Sequence, residues 1–127
     1  IQFFEPGTPQ VYYVGLLAGE NDMALVDKTG VGRDINRHNY TPDEFRAAIE
    51  RPVVRILMQL IRLRHEISAL NGAFSQPACP DNELIMRWDK DNEYAQLSVD
   101  LAARRATIVY TDGGISRRFE IDEGIVA

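Results

Sequence analysis

The sequence is poor in cysteine and has no long apolar run. Its single cysteine, Cys79, cannot form an internal disulfide, which is typical of a reducing compartment, so we expect a cytoplasmic protein. No stretch approaches the roughly 18 to 20 apolar residues of a membrane span. No part of the chain has the charged-then-apolar pattern of a secretory leader. We therefore expect no membrane partner.

Positive charge is also scarce, and lysine almost absent. The net charge is -5 and the pI is near 5.0, which argues against a nucleic acid or an anionic membrane surface as partner. Of the 14 Lys and Arg residues, only Lys28 and Lys90 are lysines. The planar guanidinium of arginine binds carboxylates, phosphates and sugar hydroxyls with several N–H donors in a rigid arrangement. The excess of arginine over lysine therefore favours polar ligands of that kind.

The usual signatures of cofactor sites are missing. Gly30-Val31-Gly32 neither follows a strand directly nor carries the lysine and hydroxyl of a phosphate loop. His65 has no second histidine or cysteine at ligand spacing. The acidic residues from Glu20 to Asp27 match no calcium loop. We expect no metal and no bound cofactor.

The length and composition are those of about one globular domain. The chain has 127 residues, of which 45% are hydrophobic and 26% charged. It begins with Ile1 rather than methionine, and Phe3 to Gly7 reads as the tail of a preceding element. We therefore expect a fragment of a longer polypeptide.

The most informative stretch runs from Gln10 to Tyr40. Val11 to Val14 consists of β-branched and aromatic residues without polar alternation, which predicts a parallel strand buried on both faces. A long loop follows, and loops of this length are commonly functional. Its charged residues are Glu20, Asp22, Asp27, Lys28, Arg33, Asp34 and Arg37, with His38 beside them.

Two helices are predicted next. Thr41-Pro42-Asp43-Glu44 combines a hydroxyl N-cap, proline at the first helical position and a glutamate placed to close a capping box. Pro52 should end this helix near Arg51 and start a second, amphipathic helix. We expect that helix to stop near Asn71-Gly72, with Gly72 as a left-handed C-cap.

The residues after Gly72 predict a small antiparallel β domain. Hydrophobic side chains alternate with polar ones in four runs, separated by short turns such as Asp112-Gly113-Gly114. The expected organisation is residues 1–72 as one α/β part and residues 73–127 as the β domain. Trp88 is expected in the core, although Trp88 and Tyr94 leave open a non-catalytic carbohydrate-binding or assembly module.

Arg33 and Arg37 form the clearest candidate site. If GRDINRH is even loosely helical, the two arginines share a face and can present two forks to one polar ligand, with Asp34 and His38 beside them. The alternative is a surface ion-pair cluster that only orders the loop.

Three segments of the chain read PQVYYVG, LAGEND and GRDINRHNY, and the proline-split helix follows them. Together, these features resemble the C-terminal part of the sucrose phosphorylase family. The resemblance is dense from Pro6 to Thr41 and thins after Asn71. It implies an α-amylase-type retaining enzyme with a (β/α)8 barrel. Residues 1–72 would then be the last strand, loop and helices of the barrel, followed by the β domain.

The resemblance also implies a reaction and a role for the arginines. The family transfers glucose from sucrose to inorganic phosphate with retention, which needs two carboxyl groups about 5 Å apart. None of the family's catalytic carboxylates matches a position here, so we expect no catalytic residue in this chain. Arg37 is the preferred sugar contact, with Arg33, Asp34 and His38 supporting it.

The expected partners follow from the same resemblance. They are sucrose or a related glucoside, inorganic phosphate as co-substrate, the rest of the barrel and, in a homodimer, a second copy. Glucosylglycerol, glucosylglycerate and sucrose 6'-phosphate phosphorylases are the alternatives within the same class.

Overall fold

The computed structural model of the protein describes residues 1–122, and these fall into two compact units. One unit, here called the helical unit, is Gln10–Met58. The other, the β unit, combines Ile1–Pro9 with the residues from Gln59 onward. None of the helices in the described residues is both long and apolar enough to cross a membrane.

The helical unit holds α1 (Tyr13–Leu16), α2 (Met23–Thr29), α3 (Pro42–Glu50) and the first half of α4 (Pro52–Glu66), with a 3₁₀ turn at Gly32–Asn36. Leu17, Ala48 and Val54 form its buried centre. Tyr40, Ile49, Val53 and Met58 pack against that centre.

The predicted start of α3 is confirmed in its details. The Thr41 hydroxyl accepts a hydrogen bond from the Glu44 N–H at 3.3 Å, and the Glu44 carboxylate accepts one from the Thr41 N–H at 2.7 Å. This reciprocal pair is a capping box, with Pro42 as the first helical residue. Arg51 is extended between α3 and α4, as the residue before a proline should be.

The predicted strand at Val11–Val14 is wrong in this structure. Tyr12 is extended, but Tyr13 already begins α1, and Tyr12 and Tyr13 are 50% and 39% exposed. A parallel strand needs neighbouring strands to satisfy its backbone groups. These residues have none in the described chain, and the Leu16 and Leu17 N–H groups bond to the Tyr12 and Tyr13 carbonyls instead.

The predicted long loop is largely structured. Asp22 caps α2 by accepting a hydrogen bond from the Leu25 N–H at 2.8 Å, and Gly30 ends the helix in the left-handed conformation. Gly19 follows α1 and lies against Tyr40, so that a Cβ there would displace the Tyr40 hydroxyl. Both α2 signals were present in the sequence as an Asp N-cap and a Gly C-cap.

The β unit is a five-stranded antiparallel meander, which confirms the predicted architecture of this part. The strands are β1 (Ala73–Ser75), β2 (Glu83–Lys90), β3 (Glu93–Asp100), β4 (Arg105–Asp112) and β5 (Ile115–Ile121), in that order across the sheet. Strand β1 was not predicted, because three residues are too few to show an alternation. The last five residues of the predicted domain, 123–127, lie outside the described residues.

An apolar row crosses the sheet and forms its core. Met86 pairs with Leu97, Leu97 with Ile108, and Ile108 with Phe119. Since paired residues share a face, the row presents one continuous apolar surface. Phe4, Ile67 and Leu70 are buried with Trp88 in the same core.

The predicted end of α4 is wrong. The helix stops at Glu66, a 3₁₀ turn follows at Ser68–Asn71, and Gly72 has a φ of -101°, outside the left-handed region. Ile67, Ala69 and Leu70 are all at most 2% exposed. A continuing α-helix would place residues 67 and 69 on nearly opposite faces, so the break lets all three enter the core. The boundary between the two compact units also falls inside α4. That the barrel part of the chain ends at residue 72 stays a prediction.

Candidate functional site

The candidate segment, Arg33–His38, lies in the helical unit and is not an α-helix. Its first residues form the 3₁₀ turn Gly32–Asn36, and Arg37 follows the turn. With three residues per turn, positions three apart lie above one another, so the geometry aligns Arg37 with Asp34 rather than with Arg33. The structure agrees, because Arg37 Nη1 lies 3.8 Å from Asp34 Oδ1.

The two arginines differ in what surrounds them. The Arg37 side chain is 47% exposed and pairs with Asp34, which is 19% exposed. Arg33 is exposed. An exposed pair at 3.8 Å contributes little to stability, so it does not hold the fold together.

The backbone of the segment is tied to residues earlier in the chain. The Asp22 N–H donates to the Ile35 carbonyl at 2.7 Å. The Tyr13 hydroxyl donates to the His38 carbonyl at 2.9 Å. The residues that carry the arginines are therefore held at two points, by α1 and by the N-cap of α2.

His38 makes the most extensive side-chain contacts of the segment. Its Nδ1 lies 3.0 Å from Asp22 Oδ2, and its Nε2 lies 3.5 Å from Glu44 Oε1. The Tyr40 ring meets the imidazole edge-on, with centroids 4.8 Å apart. The hydrogen bond with Asp22 is the main reason that the pKa of His38 is raised above its usual range.

The two carboxylates beside His38 have lowered pKa values. The pKa of Asp22 is lowered first by its hydrogen bond with His38 and next by the bond from the Leu25 N–H. The pKa of Glu44 is lowered first by the bond from the Thr41 N–H and next by the Thr41 hydroxyl. Both groups stay ionised and act as acceptors at neutral pH.

An open groove of about 790 Å³ runs alongside this cluster. Its wall includes Asp22, His38, Tyr40 and Glu44. Arg51 lies at the same groove, and its Nη1 donates to the Ala18 carbonyl at 2.8 Å. Within residues 1–122, no three His, Cys, Asp or Glu side chains are arranged to hold a metal ion.

Sequence reasoning identified Asp34 and His38 as supporting residues but missed Asp22, Glu44 and Tyr13 as the partners of His38. A signal for two of them was available. Asp22 and Glu44 are both helix-start residues, and side chains at helix N-termini carry acceptor oxygens that a neighbouring cation can reach.

The other aromatic candidates lie in the β unit, where one is buried and the other is covered on one face of its ring. Trp88 is 6% exposed, which confirms the core interpretation, and its indole N–H donates to the Phe4 carbonyl at 2.8 Å. The Tyr94 ring is covered by the Arg87 guanidinium, whose Cζ lies 4.6 Å from the ring centroid.

Comparison with known proteins finds sucrose phosphorylases and other phosphorylases among the relatives. The chain is 52% identical to a sucrose phosphorylase of Agrobacterium vitis over 108 residues, which cover 85% of this chain and 22% of that protein. It is 45% identical to a glucosylglycerol phosphorylase of Marinobacter adhaerens over 112 residues, which cover 88% of this chain and 23% of that protein. No family model matches the chain.

A solved structure agrees with these relatives. The crystal structure of sucrose 6F-phosphate phosphorylase from Thermoanaerobacter thermosaccharolyticum matches 94% of this chain and 25% of its own, with a TM-score of 0.89 and 45% identity. The chain thus spans about a fifth to a quarter of the length of the proteins it matches. By sequence and by fold, the chain is homologous to a C-terminal portion of the sucrose phosphorylases and the phosphorylases related to them.

Proposed function

We propose that the chain is the C-terminal part of a retaining phosphorylase that transfers glucose from sucrose to inorganic phosphate, giving α-glucose 1-phosphate and fructose. The observation that carries the proposal is the 52% identity to a sucrose phosphorylase over 85% of the chain. The nucleophile and the acid/base carboxyl of such a reaction would come from earlier barrel strands. The chain by itself would then be inactive.

In the full-length enzyme, residues 1–72 would complete a (β/α)8 barrel and the residues after 72 would form the C-terminal β domain. Active sites of this barrel lie at the ends of its strands and in the loops that follow them. The exposed Tyr12 and Tyr13 are the surface that the rest of the barrel would cover. A second copy as partner and a cytoplasmic location, favoured by the single unpaired Cys79, belong to the same proposal.

Within that enzyme, the Arg33–His38 segment would form one wall of the glucose site. Arg37 would contact the sugar directly, because its side chain is 47% exposed and Asp34 lies beside its guanidinium. Arg33 and His38 would support it. A charge-assisted hydrogen bond to a sugar hydroxyl contributes about 1.5 to 3 kcal/mol, or about 10- to 150-fold in kcat/KM.

The test is phosphorolysis of sucrose by the full-length enzyme with alanine at position 37 or 33. We expect Arg37→Ala to lower kcat/KM by about 10-fold or more, and Arg33→Ala to lower it less. Arg46→Ala is the matched control, since Arg46 in α3 is 73% exposed and its ion pair among residues 1–122 is with Asp43. Normal efficiency in both Arg37→Ala and Arg33→Ala would contradict the sugar-site assignment.

A related substrate is the second candidate. The matched proteins include a glucosylglycerol phosphorylase and a sucrose 6F-phosphate phosphorylase, both at 45% identity. Initial rates with sucrose, sucrose 6'-phosphate, glucosylglycerol and glucosylglycerate, each with phosphate present, would identify the donor. If the enzyme phosphorolyses none of these four donors, the phosphorylase proposal is overturned.

A carbohydrate-binding or assembly module without catalysis is less well supported. It would need aromatic rings free on the sheet surface, whereas Trp88 is buried and Tyr94 is covered by Arg87. Phosphorolysis by the full-length enzyme would decide against this module as the main function.

A further inference from the structure

His38 connects the beginnings of two helices. Its Nδ1 faces Asp22 Oδ2 at 3.0 Å, while the other Asp22 oxygen caps α2 at the Leu25 N–H. Its Nε2 faces Glu44 Oε1 at 3.5 Å, while the other Glu44 oxygen accepts from the Thr41 N–H in the capping box of α3. Each carboxylate therefore uses one oxygen for its helix and offers the other to the imidazole.

Only a protonated His38 satisfies both contacts. An imidazolium carries hydrogen on both ring nitrogens, whereas a neutral ring donates from one nitrogen and presents a lone pair at the other. In the neutral state, either Asp22 or Glu44 would face that lone pair, which is repulsive. The link between α2 and α3 is therefore complete only while His38 is charged.

The surroundings of His38 favour the charged state. The Asp22 hydrogen bond raises the pKa of His38 most and the nearby Glu44 charge adds to it, while partial burial opposes both. The other groups around the ring are the edge-on Tyr40 and the Tyr13 hydroxyl on the His38 carbonyl. Arg51, at the same groove, donates to the Ala18 carbonyl.

His38 ends the segment that carries the two arginines. The segment is held at Ile35 by the Asp22 N–H, and at His38 by the imidazole contacts and the Tyr13 hydroxyl. Asp22 takes part at both points, through its N–H and through its carboxylate. Loss of the imidazole contacts would leave the Tyr13 hydrogen bond in place at His38 and would loosen the end of the segment next to Arg37.

We infer that His38, in its protonated form, is a positioning residue that fixes Arg37 for glucosyl binding, and that its deprotonation loosens the segment and weakens substrate binding. This inference rests on the proposed function. It assigns the pH dependence of KM to a residue outside the reacting groups.

The direction of the pH effect follows from the raised pKa. The contribution of His38 to the order of the segment is fully present below its unfolded pKa of about 6.5. It is lost as the pH rises through the higher pKa of the folded protein. KM for the glucosyl donor should therefore rise on the alkaline side of 6.5.

The first test is a histidine titration of the full-length enzyme by NMR, with assignments of this segment. We expect the His38 ring signals to titrate above the ordinary histidine pKa of about 6.5, and the Arg37 amide signal to shift with the His38 titration. An Arg37 amide that does not follow His38 would overturn the inference.

The second test is the pH dependence of KM for sucrose. We expect the KM of the unsubstituted enzyme to rise about three- to tenfold through the His38 titration, with a smaller change in kcat. His38→Asn and His38→Gln place a neutral amide near Nδ1 or Nε2 respectively and cannot titrate. At low pH, both variants should have a higher KM than the unsubstituted enzyme. Their KM should not rise further as the pH increases.

His65→Gln is the matched control and should keep the unsubstituted profile. If His38→Asn and His38→Gln each show the same pH dependence of KM as the unsubstituted enzyme, the inference is overturned, even when phosphorolysis is normal. Absence of phosphorolysis would instead overturn the proposed function, while the NMR titration still reports whether His38 holds the segment.

Discussion

Trp88 connects three parts of the β unit, so its replacement tests how that unit is held together. The side chain is 6% exposed and its indole N–H donates to the Phe4 carbonyl at 2.8 Å. The Phe74 ring lies 5.1 Å from the Trp88 ring, and the Arg64 guanidinium lies over it at 5.5 Å. Arg64 also donates to the Leu70 carbonyl at 2.8 Å.

Trp88→Phe keeps one aromatic ring and removes the N–H donor. Phe4 is 4% exposed, so its carbonyl would lose its partner in a buried environment, at a cost of about 1–3 kcal/mol. The smaller ring also removes buried atoms, which adds about 1 kcal/mol. We expect the free energy of unfolding to fall by about 2–4 kcal/mol.

The measurement is urea unfolding of the chain followed by far-UV circular dichroism, because Trp88 is the only tryptophan and its fluorescence is lost in the variant. Tyr94→Phe on the neighbouring strand is the control, since it keeps the ring that Arg87 covers. That control should change the free energy by no more than about 0.5 kcal/mol. A change equally small in Trp88→Phe would refute the account of Trp88 as the anchor of Phe4.

Two further predictions concern the helical unit. Thr41→Ala should cost about 1 kcal/mol in the same urea assay because α3 loses its capping hydroxyl, and Thr41→Ser should retain most of it; equal stability of the two variants would contradict the capping box. Because the pKa of Asp22 is lowered in the folded state, its contribution to α2 is present above the ordinary carboxyl range and lost as the pH falls through the folded pKa. Acid titration of helicity should show this loss, and Asp22→Asn should lack it; an unchanged acid profile in that variant would show that Asp22 is not the titrating group.

The helix boundaries set by local chemistry were predictable. Thr41, Pro42 and Glu44 determine the start of α3 within one turn of chain, and Pro52 separates it from α4. The meander was predictable for the same reason, because strand alternation and short turns involve residues close in sequence. Gly113 and Gly114 adopt the positive φ values that a tight hairpin requires.

The errors occurred where distant residues decide the backbone. Val11 to Val14 has the composition of a buried parallel strand, but a strand forms only against neighbouring strands, and none lies beside these residues in the described chain. The end of α4 was missed because Ile67, Ala69 and Leu70 are drawn into a core that β2 to β4 complete. The hydrophobic periodicity of α4 does not indicate that these three residues will be buried against the strands.

By itself, the sequence determined the two helix starts, the β meander and the candidate arginines, because caps, turns, alternation and short words depend on residues near one another. Only the tertiary structure decided what holds the arginines. Asp22 lies 16 residues before His38 and Tyr13 lies 25 before it, yet both reach it. The physical reason is that a hydrogen bond depends on distance in space, and no local pattern encodes which carboxylate an imidazole will meet.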